Sequence, residues 1–141
     1  MGNELRYGII GAGSMGREHI ENIKVMGGAL VTAISDPHVP SQEAALAMAP
    51  GAKLYTDHRA LLDSGLVDAV IIASPNDTHT AVLKDALATD VAIFVEKPLA
   101  TTIEDLKSIL AWDDKRSGLT PDESFRPLLL WHGRWLRQLV A

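Results

Sequence analysis

The chain is 141 residues long, which is one domain's worth of core, and 47% of it is hydrophobic with only 5% aromatic, a balance that suits an α/β protein built on Ala, Val, Ile and Leu. Thirteen Lys and Arg against eighteen Asp and Glu leave a formal charge of −5, which argues against a general nucleic-acid binder. No cysteine occurs, so disulfides, thiolate catalysis and cysteine zinc sites are excluded, and no apolar run approaches the roughly 20 residues that span a bilayer.

The first predicted element is a strand, "LRYGII" (5–10), preceded by no cationic and apolar leader of signal-peptide type. Arg6 stands where a myristoylation signal needs Ser or Thr, so a cytoplasmic protein without a membrane partner is expected. A helix over 14–27 follows, with Gly16, Ile20, Ile23 and Gly27 on one face. Then come a strand at 29–35, a short helix at 41–49, a weaker strand at 52–56 and a short helix at 57–63. "VDAVIIAS" (67–74) reads as a strand. The run 76–89 reads as a helix with His79, Val82, Leu83, Ala86 and Leu87 on one face, and "VAIFVE" (91–96) as a fifth strand. Thr101 and Glu104 form a capping box opening a helix with Ile103, Leu106 and Leu110 inside. The polar stretch 112–126 connects to a last apolar run, "PLLLW". Apolar strands separated by helices predict a doubly wound parallel sheet covered on both faces, a Rossmann-type α/β fold.

"YGIIGAGSMGREHI" carries Gly11, Gly13 and Gly16 as G-x-G-x-x-G, directly after the first strand and opening the first helix. Gly11 permits a tight turn, Gly13 lets a pyrophosphate approach the backbone, and Gly16 lets the helix pack on the strand. Ser14, Met15 and Gly16 then present the N–H groups of a helix N-terminus to the phosphates. Asp36 falls twenty residues beyond Gly16, at the end of the second strand, where a carboxylate bonds the ribose hydroxyls of an adenosine. A carboxylate there repels a 2′-phosphate, and residues 35–42 contain no Arg or Lys, so NAD is expected rather than NADP.

In this order and spacing, "GIIGAGSMGREHI", "SDP", "ASPNDTHTAVLKDAL" and "FVEKPLA" resemble the N-terminal domain of the Gfo/Idh/MocA oxidoreductases, over about residues 5 to 111. The resemblance implies a nicotinamide-dependent dehydrogenase acting on a hydroxyl or carbonyl of a sugar, cyclitol or related small molecule. It implies that Lys97 meets the reacting hydroxyl, that Glu96 orients or pairs with Lys97, and that Pro98 fixes the turn. By the same analogy Ser74, Pro75 and Asn76 pass the nicotinamide ribose, and His79 is a further cofactor-site residue. Asn76 is equally a helix N-cap by its residue type. The remaining histidines, at 19, 38, 58 and 132, show no metal-ligand spacing, and His19 is expected to pack or face solvent.

The resemblance also implies a C-terminal α+β substrate domain on an open antiparallel sheet, with a His, often accompanied by Asp, acting as base. No position here matches that pair. The expected organisation is therefore a Rossmann domain over 1–130, with 131–141 beginning a connection to a second domain absent from the sequence. The resemblance thus implies the cofactor half of an enzyme, expected to be inactive by itself. Trp131, Arg134, Trp135 and Arg137 in that tail read as surface covered by another domain or subunit, which predicts self-association. The alternative function is a non-catalytic dinucleotide-binding or sensing module.

Overall fold

The computed structural model describes residues 4–116 and 129–130. The chain alternates strands and helices throughout: β1 (Leu5–Ile10), α1 (Ser14–Met26), β2 (Ala29–Ser35), α2 (Val39–Met48), β3 (Lys53–Tyr55), α3 (His58–Leu62), β4 (Ala69–Ile72), a 3₁₀ turn (Asn76–Thr78), α4 (His79–Leu87), β5 (Ala92–Val95), α5 (Ile103–Arg116) and β6 (Leu129–Leu130). All paired strands run parallel, in the order β3-β2-β1-β4-β5-β6. The order reverses between β1 and β4, and there the loops leaving the two strands open a crevice at the carboxyl edge of the sheet. The segment 131–141, read above as the start of a connection, lies outside the described residues.

The period-2 alternation of the strands sorts their side chains onto two cores. Ile9, Ile34 and Ile71 point to one face and meet Ile20 and Ile23 of α1 and Ala45 of α2. Ile10, Val70, Ile72, Ile93 and Val95 point to the other, against Leu61 of α3, Val82, Leu83 and Ala86 of α4, and Ile109 of α5. Every residue of β4 is buried, as expected of a strand with helices on both faces. Each fully buried isoleucine or leucine contributes about 1.5–3 kcal/mol, so these two layers hold the sheet edge rigid.

Several boundaries differ from the sequence expectation, each for a local reason. Helix α2 begins at Val39, two residues early, because Pro40 is accommodated in a first turn whose N–H groups need no partner. The helix expected over 76–89 is split into the 3₁₀ turn and α4. The Thr78 hydroxyl donates to the Pro75 carbonyl at 2.7 Å and shares a 2.7 Å bond with Ser74 Oγ, tightening that first turn. Asn76 is exposed inside the 3₁₀ turn and caps nothing with its side chain. Helix α5 opens one residue later than expected. Thr102, not Thr101, receives the Asp105 N–H at 3.0 Å, and its hydroxyl donates to the Asp105 carboxylate at 2.8 Å. That shift leaves Ile103 64% exposed and makes Ile109 the buried anchor of the helix.

Candidate functional site

The glycine loop leaves β1 at the crevice. Gly11 has φ +96°, and a Cβ there would collide with the Ala73–Ser74 backbone leaving β4. Only glycine lets these two loops touch. A Cβ on Gly16 would strike the Gly11 carbonyl, so the first turn of α1 lies directly on the loop. A side chain at Gly13 would instead project into open space, which keeps the loop backbone approachable from outside. Gly13 caps α1 without any side-chain hydrogen bond, so the N–H groups of Ser14, Met15 and Gly16 face that approach. Arg17, which sequence reasoning passed over, donates to the Ala12 carbonyl at 3.0 Å and brings a guanidinium against the loop.

Asp36 closes the other side. Its Oδ2 accepts from the Ala12 N–H at 2.8 Å and its Oδ1 from the His38 N–H at 2.8 Å. The carboxylate therefore ties the end of β2 to the glycine loop, while the remaining lone pairs stay free to accept from hydroxyls. Gln42, buried beneath it, donates to the Asp36 and Tyr55 carbonyls and braces this corner.

On the far side of the crevice, β5 ends at Val95 and delivers Glu96, Lys97 and Pro98. The Lys97–Pro98 peptide is cis. Lys97 is exposed, and among the described residues no carboxylate pairs with its ammonium. Glu96 meets Lys97 at its backbone N–H, and the Lys97 charge also acts on the Glu96 carboxylate. Glu96 Oε1 lies 2.7 Å from His19 Nε2, and Glu96 Oε2 accepts the Lys97 backbone N–H at 3.2 Å. The His19 and Glu96 side chains retain only 17% and 13% of their exposure. Burial pushes the Glu96 carboxyl up, but the hydrogen bonds from His19 and from the Lys97 N–H, together with the charges of His19 and Lys97, leave the group below its ordinary value.

The sequence reading had His19 pack or face solvent, and what it missed is the carboxylate partner. It packs with its ring edge-on to Phe94 at 5.4 Å, and it reaches across from α1 to the end of β5 to meet Glu96. At three residues from Gly16 it shares the face of α1 that lies closest to the strand ends, a placement that does not name its partner. His79 is 1% exposed, and its two nitrogens lie 2.7 Å from the Pro98 carbonyl and 2.9 Å from the Ser74 carbonyl. Both carbonyls only accept, so a ring nitrogen that carries a proton donates to the carbonyl it faces. His79 thus stands behind the crevice and joins the loops after β4 and β5.

The structure accordingly brings Gly11, Gly13, Ser14, Met15, Gly16, Asp36, Ser74, Pro75, Asn76, Glu96 and Lys97 to one edge of the sheet, backed by His79. A cavity of about 320 Å³ opens elsewhere, between the end of α1, the start of β2 and the end of α2, lined by Ile23, Leu30, Met48 and Pro50 among others. It contains none of these groups. Among the described residues no cluster of three or more His, Asp or Glu could hold a metal ion, and no helix is long and apolar enough to cross a membrane.

Comparison with known proteins agrees with this geometry. The profile of an oxidoreductase family, described as an NAD-binding Rossmann fold, matches residues 5–119. The chain is 42% identical over 108 residues to inositol 2-dehydrogenase/D-chiro-inositol 3-dehydrogenase of Lacticaseibacillus casei, a match covering 75% of this chain and 31% of that protein. It is 38% identical over 110 residues to inositol 2-dehydrogenase 2 of Paenarthrobacter aurescens, covering 77% and 32%. Among solved structures, myo-inositol dehydrogenase from Lactobacillus casei in complex with NAD(H) and myo-inositol superposes with a TM-score of 0.76 at 41% identity, covering 79% of this chain and 33% of that one. The chain thus spans about a third of the length of the relatives it matches.

Proposed function

Because the chain belongs to the Gfo/Idh/MocA oxidoreductase family, through its NAD-binding Rossmann domain, we propose that it is the cofactor-binding part of an NAD-dependent dehydrogenase acting on a cyclitol or a related polyol. The observation that carries this reading is the meeting of Asp36, the open glycine loop and Lys97 along one crevice. The residues fit a dinucleotide: an approachable backbone at Gly13, an uncapped helix start at Ser14 to Gly16 for the pyrophosphate, and a carboxylate at Asp36 for a ribose diol. Arg17 adds positive charge beside the phosphates. Ser74, Pro75 and Asn76 line the nicotinamide side.

A bound nicotinamide supplies the hydride acceptor. Lys97 donates a hydrogen bond to the substrate hydroxyl and stabilises the alkoxide that develops as hydride leaves. The hydroxyl proton passes to a base on a substrate domain, which the inositol dehydrogenase relatives have room for in the two thirds of their length that this chain does not match. Polyol specificity rests on the names of those relatives. The competing reading, a dinucleotide-sensing module without turnover, is separated from this one by whether Lys97 affects any reaction.

The reading includes a preference for NAD over NADP, supported by the Asp36 charge and a 35–42 segment without Lys or Arg. The test is titration of the chain with NADH and NADPH, following energy transfer from tryptophan. The expected result is saturable binding of NADH and weaker binding of NADPH. Asp36→Asn keeps an acceptor for the loop but removes the charge, and weakens NADH by about tenfold while narrowing its advantage over NADPH. Tighter binding of NADPH by the unaltered chain would refute the preference.

A further inference from the structure

We propose that His19 is a positioning residue for Lys97, acting through Glu96. The inference rests on the reading of Lys97 as the group that meets the substrate hydroxyl, and extends it to a residue on a different element. Lys97 has an exposed side chain and no ion-pair partner among the described residues, so its own contacts do not fix where it points. What is fixed is its backbone. On the N-terminal side the Lys97 N–H donates to Glu96 Oε2, and the Glu96 N–H donates to the Ile72 carbonyl at 2.9 Å. On the C-terminal side the Pro98 carbonyl lies 2.7 Å from His79 Nδ1, and Leu99 is buried at 4% exposure.

The Glu96 carboxylate can hold the Lys97 N–H only if it is itself held. A glutamate has three rotatable torsions, and most of their freedom would persist if one backbone hydrogen bond were its only restraint. His19 supplies the second restraint, at 2.7 Å and largely shielded from water, where a charge-assisted bond is short and strong. His19 is in turn fixed by Phe94 and by its place one turn into α1, whose first residues lie on the glycine loop. The pair spans 77 positions of sequence and joins the helix that faces the phosphates to the strand end that carries Lys97. A merely stabilising pair would lower the melting temperature when broken, yet leave Lys97 where it was.

The distinguishing measurement is NMR of the isotope-labelled 141-residue chain. The Lys97 backbone amide and side-chain Cε signals, assigned with Lys97→Arg, are recorded with and without NAD. His19→Leu removes the bond at similar volume, and His19→Gln restores a donor to Glu96. The expected result is a displaced Lys97 amide in His19→Leu before any cofactor is added, and loss of most of the NAD-induced change at Lys97 Cε. NADH affinity should move by less than about threefold. His19→Gln should recover both signals. An unaltered Lys97 amide and an unaltered NAD response in His19→Leu overturn the proposal. If the unsubstituted chain shows no NAD-induced change anywhere, the dinucleotide reading fails separately, and the cofactor-free amide comparison still decides the role of His19. Should His19→Leu fail to fold by circular dichroism, His19→Asn, too short to span to Glu96, takes its place with the same two outcomes.

Discussion

The two halves of the crevice are built by different means. On the glycine-loop side the working parts are backbone: the Gly11 to Gly16 loop, the first N–H groups of α1, and one carboxylate that pins the loop. On the β5 side they are side chains and carbonyls borrowed from distant elements: His19 from α1, His79 from α4, and Glu96 and Lys97 from the end of β5. A backbone site is specified by where side chains are absent, so it tolerates little added volume. A side-chain site is specified by long-range contacts, so it loses function by degrees.

Gly11→Val should give the largest effect. It places a β-branched side chain at φ +96° and drives it into the Ala73–Ser74 backbone, which belongs to the opposite side of the crevice. The expected cost is about 3 kcal/mol or more in denaturant unfolding, with NADH binding lost by titration. If Gly11→Val keeps both stability and affinity, the two halves do not share a loop contact, and the comparison collapses.

Lys97→Ala should separate the halves more sharply. Its side chain is exposed, so stability changes little, and NADH affinity should hold within about threefold. In any preparation of the protein that oxidises a polyol, the rate should fall by about 100-fold or more. A rate that survives the substitution, measured by NADH production, removes Lys97 from the chemistry and favours the sensing module.

The smallest effect concerns Glu96. Its carboxyl sits below the ordinary value of 4.5 when folded, so the pair with His19 adds stability at neutral pH. That stability is present above the unfolded value and is lost as pH falls through the folded one. The advantage of the unaltered chain over Glu96→Gln should be about 1 kcal/mol near neutrality and should shrink below about pH 4.5. Thermal melts between pH 7 and 3 measure it. Asp68 is held low by hydrogen bonds from Arg6 and responds with the same sign, which is why the Gln variant is the reference. A stability gap that stays constant across that range would show that Glu96 is not held low.

How far the sequence reaches follows the same division. The strand–glycine loop–helix–strand–acid order was readable because each part is local: a turn needs glycine where it stands, and Asp36 follows at a distance set by one helix and one strand. The alternation of apolar runs likewise identified the parallel sheet and the buried face of α4, including His79, Val82, Leu83, Ala86 and Leu87. Resemblance to a family, rather than pattern, pointed to Lys97 at the end of the fifth strand.

Contacts across the fold were not readable in this way. Nothing in a one-dimensional string distinguishes a histidine that meets solvent from one that meets a carboxylate 77 positions away, as His19 does. Nor does it show that the ring of His79 joins two loops, or that Thr102 rather than Thr101 opens α5. The sequence by itself determined the order of elements, the two-faced sheet and the glycine–acid half of the crevice, because these depend on periodicity and on residues near one another in the chain. Only the tertiary structure decided what Glu96 pairs with and how the Lys97 backbone is held, because those bonds form between elements whose separation is set by packing.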